Sequence, residues 1–370
     1  PLKKVTSRAF LSLLACSPSA QSYACRAGLV DTLIERLRNI HLQLQQESLN
    51  PGKAAQKKKE ESCLRELKLV LQLLRNCLYR NEECKVGAIE WHILPLQASA
   101  CDSRLAFAVA PLWPWLLLDD RLMEAALELL CVFTASCGPA CSSLCWSGPG
   151  HAPVQRTPTG GSVLHSVMKL ATLLAPENSG HQRLAFCLLA NLAASRDCKG
   201  LLQKSNFFQH FLALSLLKPS SKAPSPALSL WLKVLLSLSF SEDGQQMILK
   251  MDGALELIAE LALHKRDSHR PLTLLILHNV SFCSANKAKV LASAKSVSVL
   301  VSCLESNQLH ICAIGASALW SLLHNYQKVA LSRQDYALLA SEEESEKNRG
   351  EPLNSYLLKC LENLTQLLNH

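Results

Sequence analysis

Apolar residues recur along this chain with a helical period, and one short apolar cassette returns seven times, centred on Ser12, Asn76, Val132, Asn191, Ser237, Asn279 and Ser321. Two residues before each centre stand Phe10, Leu74, Leu130, Leu189, Leu235, Leu277 and Leu319. One residue after it stand Leu13, Cys77, Phe133, Leu192, Leu238, Val280 and Leu322. Positions three apart share one face of a helix, so each cassette predicts an amphipathic helix that needs a neighbouring copy to cover its stripe. The last three centres are 42 residues apart, the length of an armadillo unit.

The unit that begins at Ser237 shows the grammar. A polar break covers Ser239 to Gly244, a short helix is expected over Gln245 to Lys250, and Asp252-Gly253 opens a helix through Leu263. Three helices per unit point to armadillo repeats, with two-helix HEAT repeats as the near alternative. The expected fold is therefore all-α: an armadillo/HEAT-like right-handed α-solenoid of about seven helical repeats, a single array over 1–370.

Four stretches interrupt the pattern and read as loops. Residues 47–62 are polar and charged, 137–161 are rich in Gly, Pro and Ser, 218–226 carry three prolines, and 340–352 are acidic then mixed. Insertions that point to solvent are tolerated between helices, which accounts for the longer early spacings of 64, 56, 59 and 46 residues. Residues 353–368 read as a C-terminal capping helix. The chain opens at Pro1 without Met, and Val5 to Leu14 reads as the end of a repeat, so a fragment of a longer chain is expected.

Composition agrees with stacked helices. Hydrophobic residues are 49% but aromatics only 5%, a balance of Leu- and Ala-rich helices in which almost no strand is expected. The longest apolar run, Leu105 to Leu118, is broken by Pro111 and Pro114 and is too short to span a bilayer; with no secretory signal pattern, the chain reads as soluble, with no membrane partner. Many of the sixteen cysteines, including Cys77, Cys187, Cys283, Cys303, Cys312 and Cys360, fall in apolar helical stripes. There a free thiol acts as a small hydrophobe, and reduced thiols in an intracellular compartment are expected. Glycosylation acceptors formally matched at Asn279 and Asn363 lie in predicted helices and are discounted.

Candidate chemistry is sparse. Cys137, Cys141 and Cys145 with His151 supply four soft ligands in a Gly/Pro-rich loop, but a second closely spaced pair, as structural zinc prefers, is missing. No nucleophile elbow, phosphate-binding loop, HExxH or dinucleotide turn occurs. His278 and His324 have no triad-like partner in the sequence. No catalysis, cofactor or small-molecule substrate is expected. Net charge is +8, yet the densest basic run, Lys57 to Lys59, is followed by Glu60-Glu61 with no interleaved aromatic, so nucleic acid is not expected.

Partner contact has five candidate residues. Armadillo proteins that hold extended peptides use an Asn on the third helix of successive repeats, with a Trp one turn earlier. Asn76, Asn191 and Asn279 stand at centres, but Ser12, Val132, Ser237 and Ser321 interrupt them, and Gln72, Glu128, Cys187, Lys233, Leu275 and Ser317 stand one turn earlier. Such an Asn can instead bond a neighbouring backbone. Trp113 and Trp115 flank Pro114 at a helix start, and Trp91 follows another break; each can anchor a partner or pack one repeat on the next.

Several longer stretches carry a resemblance: RNCLYRNEECK from Arg75, CSSLCW from Cys141, RDCKGLLQKSNF from Arg196, EDGQQMILKMDG from Glu242, ASALWSLLHNYQK from Ala316 and LKCLENLTQLLN from Leu358. In these the chain resembles the C-terminal end of the rotatin family, very long armadillo-like proteins of centrioles and ciliary basal bodies. The resemblance implies a non-enzymatic scaffold for centriole assembly and elongation, cilium formation and left-right axis specification. Its implied partners are other centriolar and centrosomal proteins, and its implied place is the cytoplasm and cytoskeleton, at the centrosome and basal body. Read without the resemblance, the residues leave a second class open: an armadillo-type cargo or nucleic-acid adaptor using the basic surface.

Overall fold

The computed structural model describes residues 2–48, 54–89, 104–145, 162–173, 179–213, 226–264 and 268–324, and all regular structure among them is helical. The chain divides into two compact units, 1–205 and 206–370. The first holds α1 (Leu2–Cys16), α2 (Pro18–Arg26), α3 (Leu29–Ser48), α4 (Ala54–Leu78), α5 (Glu82–Ile89), α6 (Arg104–Val109), a 3-10 turn (Ala110–Leu112), α7 (Trp113–Leu116), α8 (Asp120–Thr134), α9 (Gly138–Ser143), α10 (Val163–Leu173), α11 (Ser179–Leu192) and α12 (Arg196–Lys204). The second holds α13 (Phe207–Ala213), α14 (Pro226–Ser239), α15 (Glu242–Lys250), α16 (Ala254–Leu263), α17 (Arg270–Val280), a 3-10 turn (Ser284–Asn286), α18 (Lys287–Ala292), α19 (Ala294–Leu304) and α20 (Leu309–Leu323).

The helices recur in threes, which makes the fold armadillo-like. Every cassette centre lies on a third helix: α1, α4, α8 and α11 in the first unit, or α14, α17 and α20 in the second. Consecutive third helices pack on each other, α1 on α4, α4 on α8 and α8 on α11, then α14 on α17 and α17 on α20. First helices (α2, α5, α9, α12, α15, α18) follow the first six centres, and the remaining helices form the second class, of which α16 packs on α19.

The columns are the core. Leu74, Leu130, Leu189, Leu235, Leu277 and Leu319 are fully buried, and so are Cys77, Phe133, Leu192, Leu238, Val280 and Leu322. Only the first cassette departs: Phe10 and Leu13 are exposed, and Leu14 is the residue of α1 that is fully buried.

Capping sets the breaks between third and first helices. Ser17 Oγ accepts the Ala20 amide at 3.2 Å, Asn81 Oδ1 accepts that of Cys84 at 3.0 Å, and Ser241 Oγ accepts that of Gly244 at 3.4 Å. Each satisfies an otherwise orphaned N–H of a first turn. Because Ser241 caps, α15 starts at Glu242 and the polar break expected over Ser239 to Gly244 is shorter than its composition suggested. Gly244 is required there: a Cβ would lie 2.0 Å from the Leu238 carbonyl oxygen at the end of α14. Gly253, at φ 79°, makes the left-handed turn into α16 where the sequence placed it.

Two expected loops are partly helical. Within 47–62, α3 runs on to Ser48 and α4 begins at Ala54, because Ala, Gln, Lys and Glu are good helix formers even where no apolar stripe marks them. Within 137–161, α9 forms over Gly138–Ser143 with Pro139 in its first turn, where a missing N–H costs nothing. Trp91, His151, 340–352 and the helix expected over 353–368 lie outside the described residues, as does 218–226 apart from Pro226, which opens α14. No helix among the described residues is long and apolar enough to cross a membrane.

Candidate interaction ladder on the third helices

The asparagine at the centre of a third helix reaches back to the third helix before it. Asn76 Nδ2 donates to the Leu11 carbonyl at 2.9 Å. Asn191 Nδ2 donates to the Cys131 carbonyl at 3.0 Å and to Thr134 Oγ1 at 3.1 Å. Asn279 Nδ2 donates to Ser239 Oγ at 2.8 Å, and at the last centre Ser321 Oγ donates to the Ser281 carbonyl at 3.2 Å. The acceptors lie one residue before or two after the preceding centre, so one register governs the ladder. Thr134 and Ser239 close their helices and Ser281 caps α17, whereas Leu11 lies a turn inside α1 and the Cys131 carbonyl also accepts the Ala135 amide at 3.1 Å.

A second set of contacts runs from one residue before a centre to the next third helix. Arg75 pairs with Glu128, four residues before the centre Val132, and its Nε also bonds Asn76 Oδ1 at 3.1 Å. His278 Nε2 lies 2.8 Å from Ser317 Oγ, four residues before the centre Ser321. The Nδ1 of the same ring lies 3.1 Å from Asn279 Oδ1. Burial lowers the His278 pKa below its ordinary value, with the Asn279 hydrogen bond opposing. His278 thus lies between Ser317 of the next third helix and its own neighbour Asn279, packed between repeats.

A third column escaped sequence reasoning. Four residues after the cap of a first helix stand Gln21, Lys85, Cys141, Lys199 and Gln245, and Lys287 stands four after Cys283, the cap of the 3-10 turn that leads into α18. Gln21 Nε2 donates to the carbonyls of Leu14 at 2.8 Å and Asn76 at 2.9 Å, and Cys141 Sγ to those of Thr134 at 3.4 Å and Asn191 at 3.5 Å. Lys85 Nζ donates to Ala135 O at 2.6 Å, Lys287 Nζ to His324 O at 3.0 Å, and Gln245 Nε2 to Ser239 O at 2.8 Å. These five are long or polarisable donors closing the carbonyl end of a third helix. The signal was a column of Gln, Lys and Cys at a fixed offset, invisible until the cap positions were known.

At four of the seven centres the residue three further on is an exposed ring, and at the other three it is Ala15, Ala135 or Ala194. Three residues after the centre, Tyr79, Phe240 and Phe282 are 47%, 75% and 42% exposed. Phe282 leans on His278 with ring centres 4.9 Å apart, His324 on Trp320 at 5.5 Å, and Arg80 lies over Tyr79 at 5.4 Å. Of the two tryptophans, Trp113 is buried at the start of α7, whereas Trp115 is half-buried and meets His41 edge-on at 5.5 Å.

The cysteine loop takes a different form from the one expected. Cys145 is bonded to Cys198, and Cys137 and Cys141 are buried thiols, Cys141 pushed up to about 12 chiefly by burial. The sequence pattern searched Cys145 against its neighbours in the loop and missed Cys198, a partner 53 residues away that repeat stacking brings close. No cluster of three or more potential metal ligands occurs among the described residues.

With this geometry in hand, comparison with known proteins places the chain. Human (Homo sapiens) rotatin is 48% identical to it over 379 residues, and mouse (Mus musculus) rotatin 46% over 382. Both alignments take in the whole chain. This chain is a relative of rotatin. It spans 16% of the length of either rotatin. No family model matches it. Among solved structures, an engineered protein from the Northeast Structural Genomics Consortium aligns over 99% of this chain and 95% of its own at TM-score 0.54 with 14% identity, a likeness of fold. A designed armadillo repeat protein in complex with the peptide (KR)4 aligns over 67% of this chain and 94% of its own at TM-score 0.49 with 13% identity.

Four of the six stretches that carry the rotatin resemblance hold residues of the ladder. RNCLYRNEECK supplies Arg75, Asn76, the cap Asn81 and Lys85; CSSLCW supplies Cys141; EDGQQMILKMDG supplies Gly244 and Gln245; ASALWSLLHNYQK supplies Ser317 and Ser321. In a rotatin-like segment, then, these residues are explained first by how one repeat is fastened to the next.

Proposed function

We propose that this chain is a segment of a non-enzymatic, rotatin-type interaction scaffold of centrioles and ciliary basal bodies. It serves centriole assembly and elongation, and through them cilium formation and left-right patterning. The whole-length likeness to rotatin carries this reading. The polar inventory of the third helices supports it: hydrogen bonds between repeats take up the side-chain amide donors of Asn76, Asn191 and Asn279, which leaves recognition to exposed rings rather than to an asparagine clamp. Aromatic side chains anchor protein interfaces because they bury a large area at small entropic cost.

The surface offered to centriolar proteins is in this reading the aromatic edge three residues beyond the centres. In the second unit it comprises Phe240, Phe282 and His324, with the half-buried Asn279 behind it. In the first unit Tyr79 takes that position, and Trp115 presents a separate half-buried ring. Capture from extracts of ciliated cells tests the reading, using the whole chain as bait at increasing ionic strength. Centrosomal proteins retained at moderate salt support an aromatic-anchored scaffold. Recovery only of nucleic acid or acidic proteins that salt strips away would transfer the assignment to the cargo or nucleic-acid adaptor.

A further inference from the structure

The Cys145–Cys198 bond ties the turn that closes α9 to the next first helix, α12, at defined register positions. Cys145 stands eight residues after the cap Cys137 of α9, and Cys198 three residues after the cap Ser195 of α12. Their Cα atoms are 5.7 Å apart, and Cys198 Sγ lies 3.2 Å from the carbonyl oxygen of Cys141, one turn before Cys145. The same register recurs at the junction of α2 and α5, which pack together. Cys25 stands eight residues after the cap Ser17, and Cys84 three residues after the cap Asn81. Cys84 Sγ reaches the carbonyl oxygen of Gln21, one turn before Cys25, at 3.7 Å. Two junctions thus match in offset from the cap position and in sulfur-to-carbonyl contact, yet one is bonded and the other holds two thiols.

We propose that Cys25 and Cys84 are a second inter-repeat disulfide site, closed by thiol–disulfide exchange with a low-molecular-weight disulfide such as oxidised glutathione and opened by the corresponding thiol. Cys25, half-buried at the end of α2, is the sulfur an outside reagent reaches; Cys84 is fully buried. In the first step the Cys25 thiolate attacks the small disulfide, forming a mixed disulfide and releasing one small thiol. In the second, Cys84 loses its proton and attacks Cys25 sulfur, forming the intramolecular bond and releasing the second small thiol. The protein loses two hydrogens and one small disulfide is reduced to two thiols. Burial, a hydrogen bond to Cys25 and the neighbouring Cys77 all hold the Cys84 thiol above its ordinary pKa, so the second step is the slow one and quickens with pH. Closure staples the first two repeats as Cys145–Cys198 staples the turn closing α9 to α12.

The test equilibrates the native chain with graded ratios of oxidised to reduced glutathione, blocks the remaining thiols by alkylation, and maps peptides without reduction. Cleavage after Tyr23, Arg26, Arg80 and Lys85 separates Cys25 from Cys16 and Cys84 from Cys77. The expected result is a cross-linked peptide pair containing Cys25 and Cys84, accompanied by an upward shift in Tm. Both are lost in Cys25→Ser and kept in Cys77→Ser, while the Cys145–Cys198 peptide persists in each. The inference is overturned if Cys84 remains fully alkylated at every ratio at which Cys145–Cys198 is closed. Bonding of Cys84 to Cys77 instead of Cys25, or an adduct that stays on Cys25 at high pH, overturns it equally.

Discussion

Asn279 donates its side-chain amide to the Ser239 hydroxyl 2.8 Å away, 40 residues earlier and one third helix back. Asn76 makes the equivalent link to Leu11 O, but from a buried position and to a carbonyl. The two sites therefore differ in what their removal leaves behind. Leu11 O and the Arg75 guanidinium both lose a partner in Asn76→Ala; in Asn279→Ala, Ser239 still donates to Leu236 O at 2.7 Å and the half-buried His278 Nδ1 is the group that loses a partner. Asn76→Ala is expected to cost about 1–3 kcal/mol and Asn279→Ala distinctly less. Urea titrations read both, and an unchanged midpoint for Asn76→Ala would remove the ladder from the stability of the fold.

Lys85 brings a charge into the junction with its side chain only 3% exposed, held by Ala135 O and Glu82. Lys85→Met keeps most of the stem volume and deletes the donor. The expected loss is about 1–3 kcal/mol, the cost of leaving the Ala135 carbonyl without its donor. Equal unfolding midpoints for the two proteins would mean that water replaces the ammonium freely.

Leu277 is fully buried in α17, two residues before its centre. Truncation to Ala is expected to cost about 2–5 kcal/mol through lost burial and the cavity left behind. A melting curve superimposable on that of the parent would contradict the repeat register itself.

Burial lowers the pKa of both His41 and His278 below the ordinary imidazole value of 6.5. The unfolded chain then binds more protons than the folded one as the pH falls past 6.5. The stability these rings contribute is complete above that value and is lost as pH drops through their folded pKa values. Chemical denaturation between pH 7.5 and 5 should show a falling midpoint, with a shallower slope in His41→Gln and His278→Gln. A flat profile for the parent chain would contradict the burial argument.

Much of the fold was legible because its signal is local and repeated. The columns from Leu74 to Leu319 and from Cys77 to Leu322 lie where a period of 3.6 puts them, and Asp252-Gly253 opens α16 as its turn chemistry dictates. The start of α4 was hidden, because Ala54 to Glu61 is helical by propensity without an apolar stripe. The candidate site was legible only in part. Asn76, Asn191 and Asn279 stood out as residues, but their partners are 65, 60 and 40 positions away. No periodicity reports which carbonyl a neighbouring repeat presents. Cys145 was grouped with Cys137 and Cys141 by closeness in sequence, while stacking gives it Cys198. The exposed rings of Phe240 and Phe282 carry the 42-residue period in plain view, yet a pattern search built on buried positions passes over them.

We propose that this rotatin-like segment engages centriolar proteins through that aromatic edge. Proximity labelling in ciliated cells tests it most directly, with the whole chain compared with a Phe240→Ser, Phe282→Ser variant whose folding is verified by its melting curve. The account predicts centriolar neighbours for the parent chain and their loss from the folded variant. Equal labelling of the same neighbours by both, or no centriolar neighbour for either, would contradict it.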